Sequence, residues 1–146
     1  MNKTILYQAF TFFMLIGLLS CSKNEDEVKS TDREYKINIK VDYVEKSKDY
    51  PDEGAKIYIY FNHKQDDFTG LQYDKEGSYY SETKTIRPDN TYIVNNQGMA
   101  IIDFKEHLNV ECSIIVESKK RVGLRSFLYV DEFDFKDYDT LKFRFH

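Results

Sequence analysis

The chain has 146 residues, which is enough for one domain of ordinary size once its N-terminal segment is set aside. Its formal net charge is −4, its charges are well mixed, and no basic stripe stands out, which argues against a nucleic-acid partner and against docking on anionic lipid through a polybasic patch. Aromatic residues make up 16% of the chain, as 12 Tyr and 11 Phe, and this bulk can fill a core.

The N-terminal residues have the pattern of a secretory signal peptide. Lys3 is the only charged residue before Cys21, and an apolar run is densest over residues 10–19. A positive tip followed by a short apolar core is typical of a helical signal peptide, whereas a bilayer span needs about 18 or more apolar residues. The sequence therefore predicts a signal peptide over residues 1–20, with a retained membrane-anchor helix or a buried core helix as alternatives.

The apolar run ends in Leu18-Leu19-Ser20-Cys21, which resembles the lipobox of bacterial lipoproteins. The resemblance implies that a diacylglyceryl group is attached to the Cys21 thiol, that a peptidase cuts between Ser20 and Cys21, and that the new amine is acylated, for example by palmitate. Several acyl chains give stable anchoring where one is marginal, so outer-membrane lipid is the expected partner of Cys21. The alternative is an ordinary cysteine beside a conventional cleavage site.

An acidic segment follows the lipobox and has two interpretations. Its residues are Ser22, Lys23, Asn24, Glu25, Asp26 and Glu27. It resembles the export signal that carries some lipoproteins of Gram-negative bacteria to the outer face of the outer membrane, which implies a position at the cell surface. The alternative is a solvated, disordered tether that would look similar on any lipoprotein. We predict a lipidated flexible tether over residues 21–34 and a folded domain over residues 35–146.

Beyond the tether, apolar residues recur with the period of two that is typical of half-buried β-strands. One face of the first strand carries Tyr35, Ile37, Ile39, Val41 and Tyr43. Residues 50–54 contain Pro and Gly and predict a turn. A strand over residues 55–61 follows, with Ile57, Ile59 and Phe61 on one face and Tyr58 and Tyr60 on the other.

The remaining predicted strands are separated by turns and polar loops. After a polar loop at 62–70, weak strand signals occur at 71–73, 78–81 and 83–86. Clearer strands are predicted at 91–94, 99–104, 112–118, 125–133 and 141–145, with a turn at 95–98. No segment of the mature chain has a sustained helical stripe. The sequence therefore predicts an all-β, Ig-like antiparallel β-sandwich of about seven strands.

Two of these segments resemble one known family. Residues 51–60, PDEGAKIYIY, are similar to the opening of transthyretin-like, carboxypeptidase-regulatory-like domains, and residues 95–102, NNQGMAII, are similar to a hairpin of the same family. The resemblance implies a seven-stranded β-sandwich without a catalytic site of its own, used as an accessory or binding module. Fold does not determine function, so the resemblance bears on architecture alone.

Few residues suggest catalysis. His63, His107 and His146 are far apart in the sequence, so no metal site is predicted. Cys112 has the phase of the apolar face of its strand, which predicts a buried core residue rather than a catalytic thiol. The acidic run at 131–139 lacks the Gly of a calcium loop and is expected to be a charged strand edge. We therefore expect no catalytic residue, no metal and no cofactor.

Tyrosines are the candidate ligand residues. Tyr58 and Tyr60 share one strand face, and an exposed tyrosine face could stack on the sugar rings of a glycan or receive a protein. Other tyrosines that could lie near it are Tyr73, Tyr79, Tyr80 and Tyr92. The alternative is a core that buries these rings and leaves their hydroxyls at its rim.

These observations predict a surface-anchored bacterial lipoprotein that is not an enzyme and acts as a binding or accessory module. One alternative is a structural or regulatory subunit of an envelope complex that faces the periplasm, with an unpaired sheet edge for strand addition. A third is a small hydrolase that uses two carboxylates, which would require acidic side chains that converge in a pocket.

Overall fold

The computed structural model describes residues 36–104, 110–130 and 140–146. The predictions for the signal peptide, Ser20, Cys21, the acidic segment at 22–27 and the rest of the tether lie outside the described residues. So do those for His107 and for the acidic run at 131–139. Among the described residues, no helix has both the length and the apolar character that a membrane crossing requires.

The described residues form strands and one short 3₁₀ turn, Gln65–Phe68, so the predicted all-β class is confirmed. In chain order the strands are β1 (Lys36–Glu45), β2 (Lys48–Pro51), β3 (Lys56–Phe61), β4 (Gln72–Tyr73), β5 (Tyr79–Tyr80), β6 (Thr85–Ile86), β7 (Asn90–Ile93), β8 (Met99–Asp103), β9 (Cys112–Glu117), β10 (Arg125–Val130) and β11 (Thr140–Phe145). The strands outnumber the seven expected partly because β4, β5 and β6 form a small sheet of their own.

The first sheet is built around the long strand β1. One edge of β1 pairs with β11, and the other edge is shared by β8 and then β2. The pairing of β1 with β11 is parallel, an exception to the antiparallel arrangement that the sequence predicts. Because β1 has partners on both edges, its backbone hydrogen bonds are satisfied inside the sheet.

The second sheet has the order β10-β9-β3-β7 and is antiparallel throughout. One of its faces packs on the first sheet around a shared apolar core, an arrangement consistent with a β-sandwich. The core includes Ile37, Ile39 and Val41 of β1, Ile57 and Ile59 of β3, Ile114 and Val116 of β9, and Leu141 and Phe143 of β11. The predicted inward faces of β1 and β3 are therefore confirmed.

The other face of the second sheet is also covered. The small β4-β5-β6 sheet and the 3₁₀ turn supply side chains that pack on it and form a second core. Its buried members are Tyr58, Tyr60, Phe68, Tyr79, Ile86 and Ile115. Strands β3 and β9 are buried on both faces, and their sequences are accordingly nearly continuous runs of apolar and aromatic residues.

The two ends of the sandwich differ in what they carry. At the proximal end, where the chain reaches Lys36, the rings of Phe61 and Phe104 pack 6.3 Å apart. At the distal end, Val44 of β1 accepts a hydrogen bond from Arg121. Val44 lies eight residues along the extended strand from Lys36, a distance of about 26 Å.

Two turns at the distal end define its shape. The predicted turn at Asn95–Gly98 is confirmed, because the Asn95 side chain accepts hydrogen bonds from the N–H groups of Gln97 and Met99. The predicted turn at 50–54 is corrected in part, because residues 50 and 51 belong to β2. The chain reverses before them, at Lys46 and Ser47, which both have positive φ, as a tight hairpin requires.

Candidate functional site

The proposed tyrosine ligand face is not a surface. Tyr58 and Tyr60 lie on the predicted outer face of β3, but both are 0% exposed. Their hydroxyls donate hydrogen bonds to the carbonyls of Lys75 and Gly77. Both carbonyls belong to the covering segment, residues 62–86, which folds over this face of the second sheet. The expectation of an exposed face at these two residues is therefore wrong, and the alternative of buried rings describes them.

Aromatic packing holds the covering segment on the sheet. The Phe68 ring lies 5.0 Å from that of Tyr60, 4.8 Å from that of Tyr79 and 5.9 Å from that of Phe127, with edge-to-face geometry in each case. Such pairs contribute about 0.5–1.5 kcal/mol beyond the burial of their area. The segment is thus an integral third layer rather than a loose loop.

Alkaline pH is expected to destabilise the protein through this second core. Burial raises the pKa of Tyr60 well above the ordinary tyrosine value, so the folded protein keeps a proton that the unfolded chain loses near pH 10. The contribution of Tyr60 to the free energy of unfolding should not change with pH below pH 10, and it should fall by about 1.4 kcal/mol per pH unit above pH 10. Urea unfolding from about pH 9 to about pH 12 measures the slope.

The Tyr60→Phe variant is the comparison for that measurement. It lacks the hydroxyl, so its stability should fall less steeply above pH 10, whatever its stability at neutral pH. Equal slopes for the two proteins would contradict a raised pKa of Tyr60 in the folded state.

A cleft opens at the distal end of the second sheet. Its volume is about 360 Å³, and its lining residues are Gly54, Lys56, Lys75, Glu117, Ser118, Lys119 and Val122. Lys56 and Glu117 face each other across the β3–β9 pairing, so the strand register itself places both in the cleft. With three lysines and one glutamate, the lining carries net positive charge although the whole chain is acidic.

The lysines of the cleft keep their charge available. Within the described part of the chain, no ion pair joins Lys56, Lys75 or Lys119 to a carboxylate. Lys56 Nζ donates a hydrogen bond of 3.0 Å to the carbonyl of Lys75, which fastens the covering segment beside the cleft. An ammonium group can donate three hydrogen bonds, so Lys56 keeps donor capacity for a ligand.

The buried carboxylate of Asp52 positions the hairpin that forms one side of the cleft. Asp52 is 0% exposed; it accepts a hydrogen bond from the Ser118 hydroxyl and one of 3.0 Å from the Lys120 N–H. Ser118 Oγ in turn accepts a 2.8 Å hydrogen bond from the Arg121 N–H. Asp52 thus ties the β2–β3 connection to the β9–β10 hairpin and determines where Lys119 stands.

Arg121 fastens the same hairpin to the first sheet. Its Nη2 donates to the carbonyl of Val44, and its guanidinium carbon lies 5.8 Å from the centroid of the Tyr43 ring. The tip of the hairpin beyond it is apolar and open to solvent, with Val122 90% and Leu124 44% exposed. The β9–β10 hairpin is therefore fixed by Arg121, and the apolar side chains at its tip lie beside the basic cleft.

Glu117 is held by a chain of contacts from the covering segment. Tyr73 donates its hydroxyl hydrogen bond to Glu117 Oε2. The guanidinium of Arg125 lies 3.7 Å from the Tyr73 ring centroid and donates a 2.8 Å hydrogen bond to the Tyr79 hydroxyl. Burial, followed by the bond to Glu117, raises the pKa of Tyr73, so its phenol keeps its proton and continues to donate at a higher pH than an ordinary tyrosine would.

The other residues singled out from the sequence do not build a reactive site. Cys112 is buried in the main core with Ile114 and Val116, as predicted, and burial raises the pKa of its thiol to about 12. A thiol with that pKa holds almost no thiolate at neutral pH. Among the described residues, no group of three or more His, Cys, Asp or Glu side chains is arranged to hold a metal ion.

Sequence reasoning did not find the lysine cleft. Its signal in the sequence is Lys119-Lys120-Arg121 followed by an exposed Val122, a basic run with an apolar tip in a β-hairpin. Lys56 and Lys75 come from elsewhere in the chain and join it only through the fold. Comparison with protein-family models, with curated proteins and with solved structures found no match to this chain.

Proposed function

We propose that this protein is a lipid-anchored, non-enzymatic binding module of the bacterial cell surface. In this proposal the lipid is attached at Cys21, in a segment that resembles a lipobox, and the acidic segment at 22–27 is the signal for export to the cell surface. In this proposal the folded part belongs with transthyretin-like β-sandwich modules, on the resemblance of residues 51–60 and 95–102. Its task is to hold a ligand at the distal end while acyl chains retain it in the outer membrane.

The position of the cleft is the observation that carries this proposal. The chain reaches the sandwich at Lys36, and the cleft lies at the opposite end, about 26 Å away along β1. A ligand can therefore enter the cleft without contacting the end of the domain at which Lys36 lies. The volume of about 360 Å³ falls in the range of small-molecule pockets.

The composition of the cleft favours binding over hydrolysis. Hydrolysis of a glycoside by acid–base chemistry uses two carboxyl groups that flank the bond, and Glu117 is the one acidic residue among those that line the cleft. Cys112 has no access to the cleft from the main core. The lysines provide charge and hydrogen-bond donors, which serve recognition.

Protease shaving of intact cells tests the proposal. We expect the wild-type domain to be cleaved while a periplasmic control protein survives, and Cys21→Ser to lose its membrane attachment. Replacing Glu25, Asp26 and Glu27 together by alanine should leave the protein anchored but protected from the protease. Protection of the wild type until the outer membrane is opened would overturn surface display and favour the second candidate function.

That second candidate is a periplasm-facing structural or regulatory subunit of an envelope complex. The observation that favours it is a pair of exposed apolar residues on either side of the Asn95–Gly98 turn, Ile93 at 70% and Ile101 at 62% exposure. Ile93 lies on β7, which has one strand partner, β3, in the described residues. Such an edge can accept a strand from another protein. Photo-crosslinking from position 93 in living cells would capture that partner.

A further inference from the structure

The lysine cleft has a mixed chemistry that narrows its ligand. Lys56, Lys75 and Lys119 supply positive charge for an anionic group. Glu117 supplies an acceptor, because Tyr73 occupies Oε2 and no hydrogen bond to Oε1 is made within the described residues. Val122 supplies an apolar surface that is 90% exposed. A ligand that satisfies all three carries an acid, hydroxyl groups and an apolar face together.

We propose that the cleft binds an acidic sugar residue of a glycan, one that carries a carboxylate or a phosphate group. The lysines contact the acid, Glu117 accepts from a ring hydroxyl, and the apolar face of the ring lies against Val122. This inference rests on the proposed function as a binding module and adds its ligand class. A bare polyanion suits the cleft less well, because it has no hydroxyl to donate and is repelled by the Glu117 carboxylate.

The neighbouring contacts make the cleft preorganised for this ligand. Asp52 and Arg121 hold the hairpin that carries Lys119, and the Tyr73 hydroxyl holds Glu117. Groups that are already in place lose little conformational entropy on binding. A site built in this way can discriminate a sugar acid from a neutral sugar by its charges, and from a simple anion by Glu117.

The experiment measures affinity of the purified full chain in neutral detergent for defined probes. These are trigalacturonic acid, its neutral counterpart maltotriose, and sodium tripolyphosphate. We expect binding of trigalacturonic acid that weakens with salt, and at least about tenfold weaker binding of the other two probes. Equal or tighter binding of tripolyphosphate would overturn the sugar assignment in favour of a plain anion site, and equal binding of maltotriose would overturn the requirement for an acid group.

Matched variants locate the binding in the cleft. Lys75→Gln with Lys119→Gln removes two charges but keeps the backbone carbonyl of Lys75 that holds the covering segment, and affinity should fall about tenfold or more. The control is Lys142→Gln, an exposed residue of β11, which should change affinity less than about twofold. Glu117→Gln should narrow the difference between trigalacturonic acid and tripolyphosphate. Unchanged affinity in the double variant, with unfolding curves like those of the wild type, would overturn the inference.

The readouts separate this inference from the function on which it rests. Sugar binding is measured on purified protein, whereas surface display is measured by protease shaving of cells. Binding of the sugar acid by a protein that faces the periplasm would overturn surface display and keep the ligand class. A displayed protein that binds none of the probes would overturn the ligand class and keep the display.

Discussion

Gly77→Ala is expected to lower the free energy of unfolding by about 2–4 kcal/mol, combining the cost of a positive φ with that of overpacking. Gly77 has φ +93°, and an added Cβ would stand 2.4 Å from Cδ1 of Tyr58. The Tyr58 ring is 0% exposed and cannot swing away. Relief therefore requires the covering segment to move off β3, which would also break the hydrogen bond from the Tyr60 hydroxyl to the Gly77 carbonyl. Urea unfolding followed by far-ultraviolet circular dichroism measures the loss.

Gly70→Ala is the matched control for that variant. Gly70 also has positive φ, at +76°, but nothing lies within 4 Å of an added Cβ. Only the backbone cost applies, so we expect a loss of about 1–2 kcal/mol. If the two variants lose equal stability, the close contact between Gly77 and the Tyr58 ring does not hold the third layer in place.

Asp52→Ala is expected to lower the free energy of unfolding by about 3 kcal/mol, because hydrogen bonds to a charged group contribute about 1.5–3 kcal/mol each and the Ser118 hydroxyl would be left buried without its acceptor. The two donors to Asp52 are the Ser118 hydroxyl and the Lys120 N–H. Ser118 is itself 3% exposed, so solvent does not readily replace the lost carboxylate. Thermal and urea unfolding of the purified variant give the value.

The control for Asp52 is an exposed aspartate with an ion pair. Asp49 accepts a 2.8 Å hydrogen bond from Arg144 Nε, and both side chains are about half exposed. Exposed pairs contribute about 0–1 kcal/mol, so Asp49→Ala should cost far less than Asp52→Ala. Similar losses at the two positions would mean that the hairpin does not depend on the buried carboxylate.

Local pattern was enough to predict the strands but not what covers them. The alternation at Ile57-Tyr58-Ile59-Tyr60 correctly assigns isoleucines and tyrosines to opposite faces of β3. Both faces are buried, however, because residues 62–86 fold back over the tyrosines. That segment is polar and its strands are short, so its docking depends on a few long-range contacts, such as the hydrogen bond from Tyr60 to Gly77. The hydrophobic periodicity of the local sequence does not predict such contacts.

Turn chemistry and pairing explain the other differences between prediction and structure. The β1–β2 hairpin was missed because Lys46 and Ser47 adopt positive φ without the Asn or Gly that marks such turns. The lysine cleft was missed because Lys56, Lys75 and Lys119 come from three separate segments. Only the Lys56–Glu117 register and the docking of the covering segment bring them together.

The parallel pairing of β1 with β11 has a consequence for the order of folding. Asn38 of β1 pairs with Thr140 of β11, so the central strand of the first sheet cannot complete its pairing until a segment about 100 residues downstream is available. Contacts of such long sequence separation make folding slow, because the loop between them must close before they form. A chain still under synthesis has β1 without β11 and cannot complete this sheet. The topology therefore delays the native state until residues 140–145 are present.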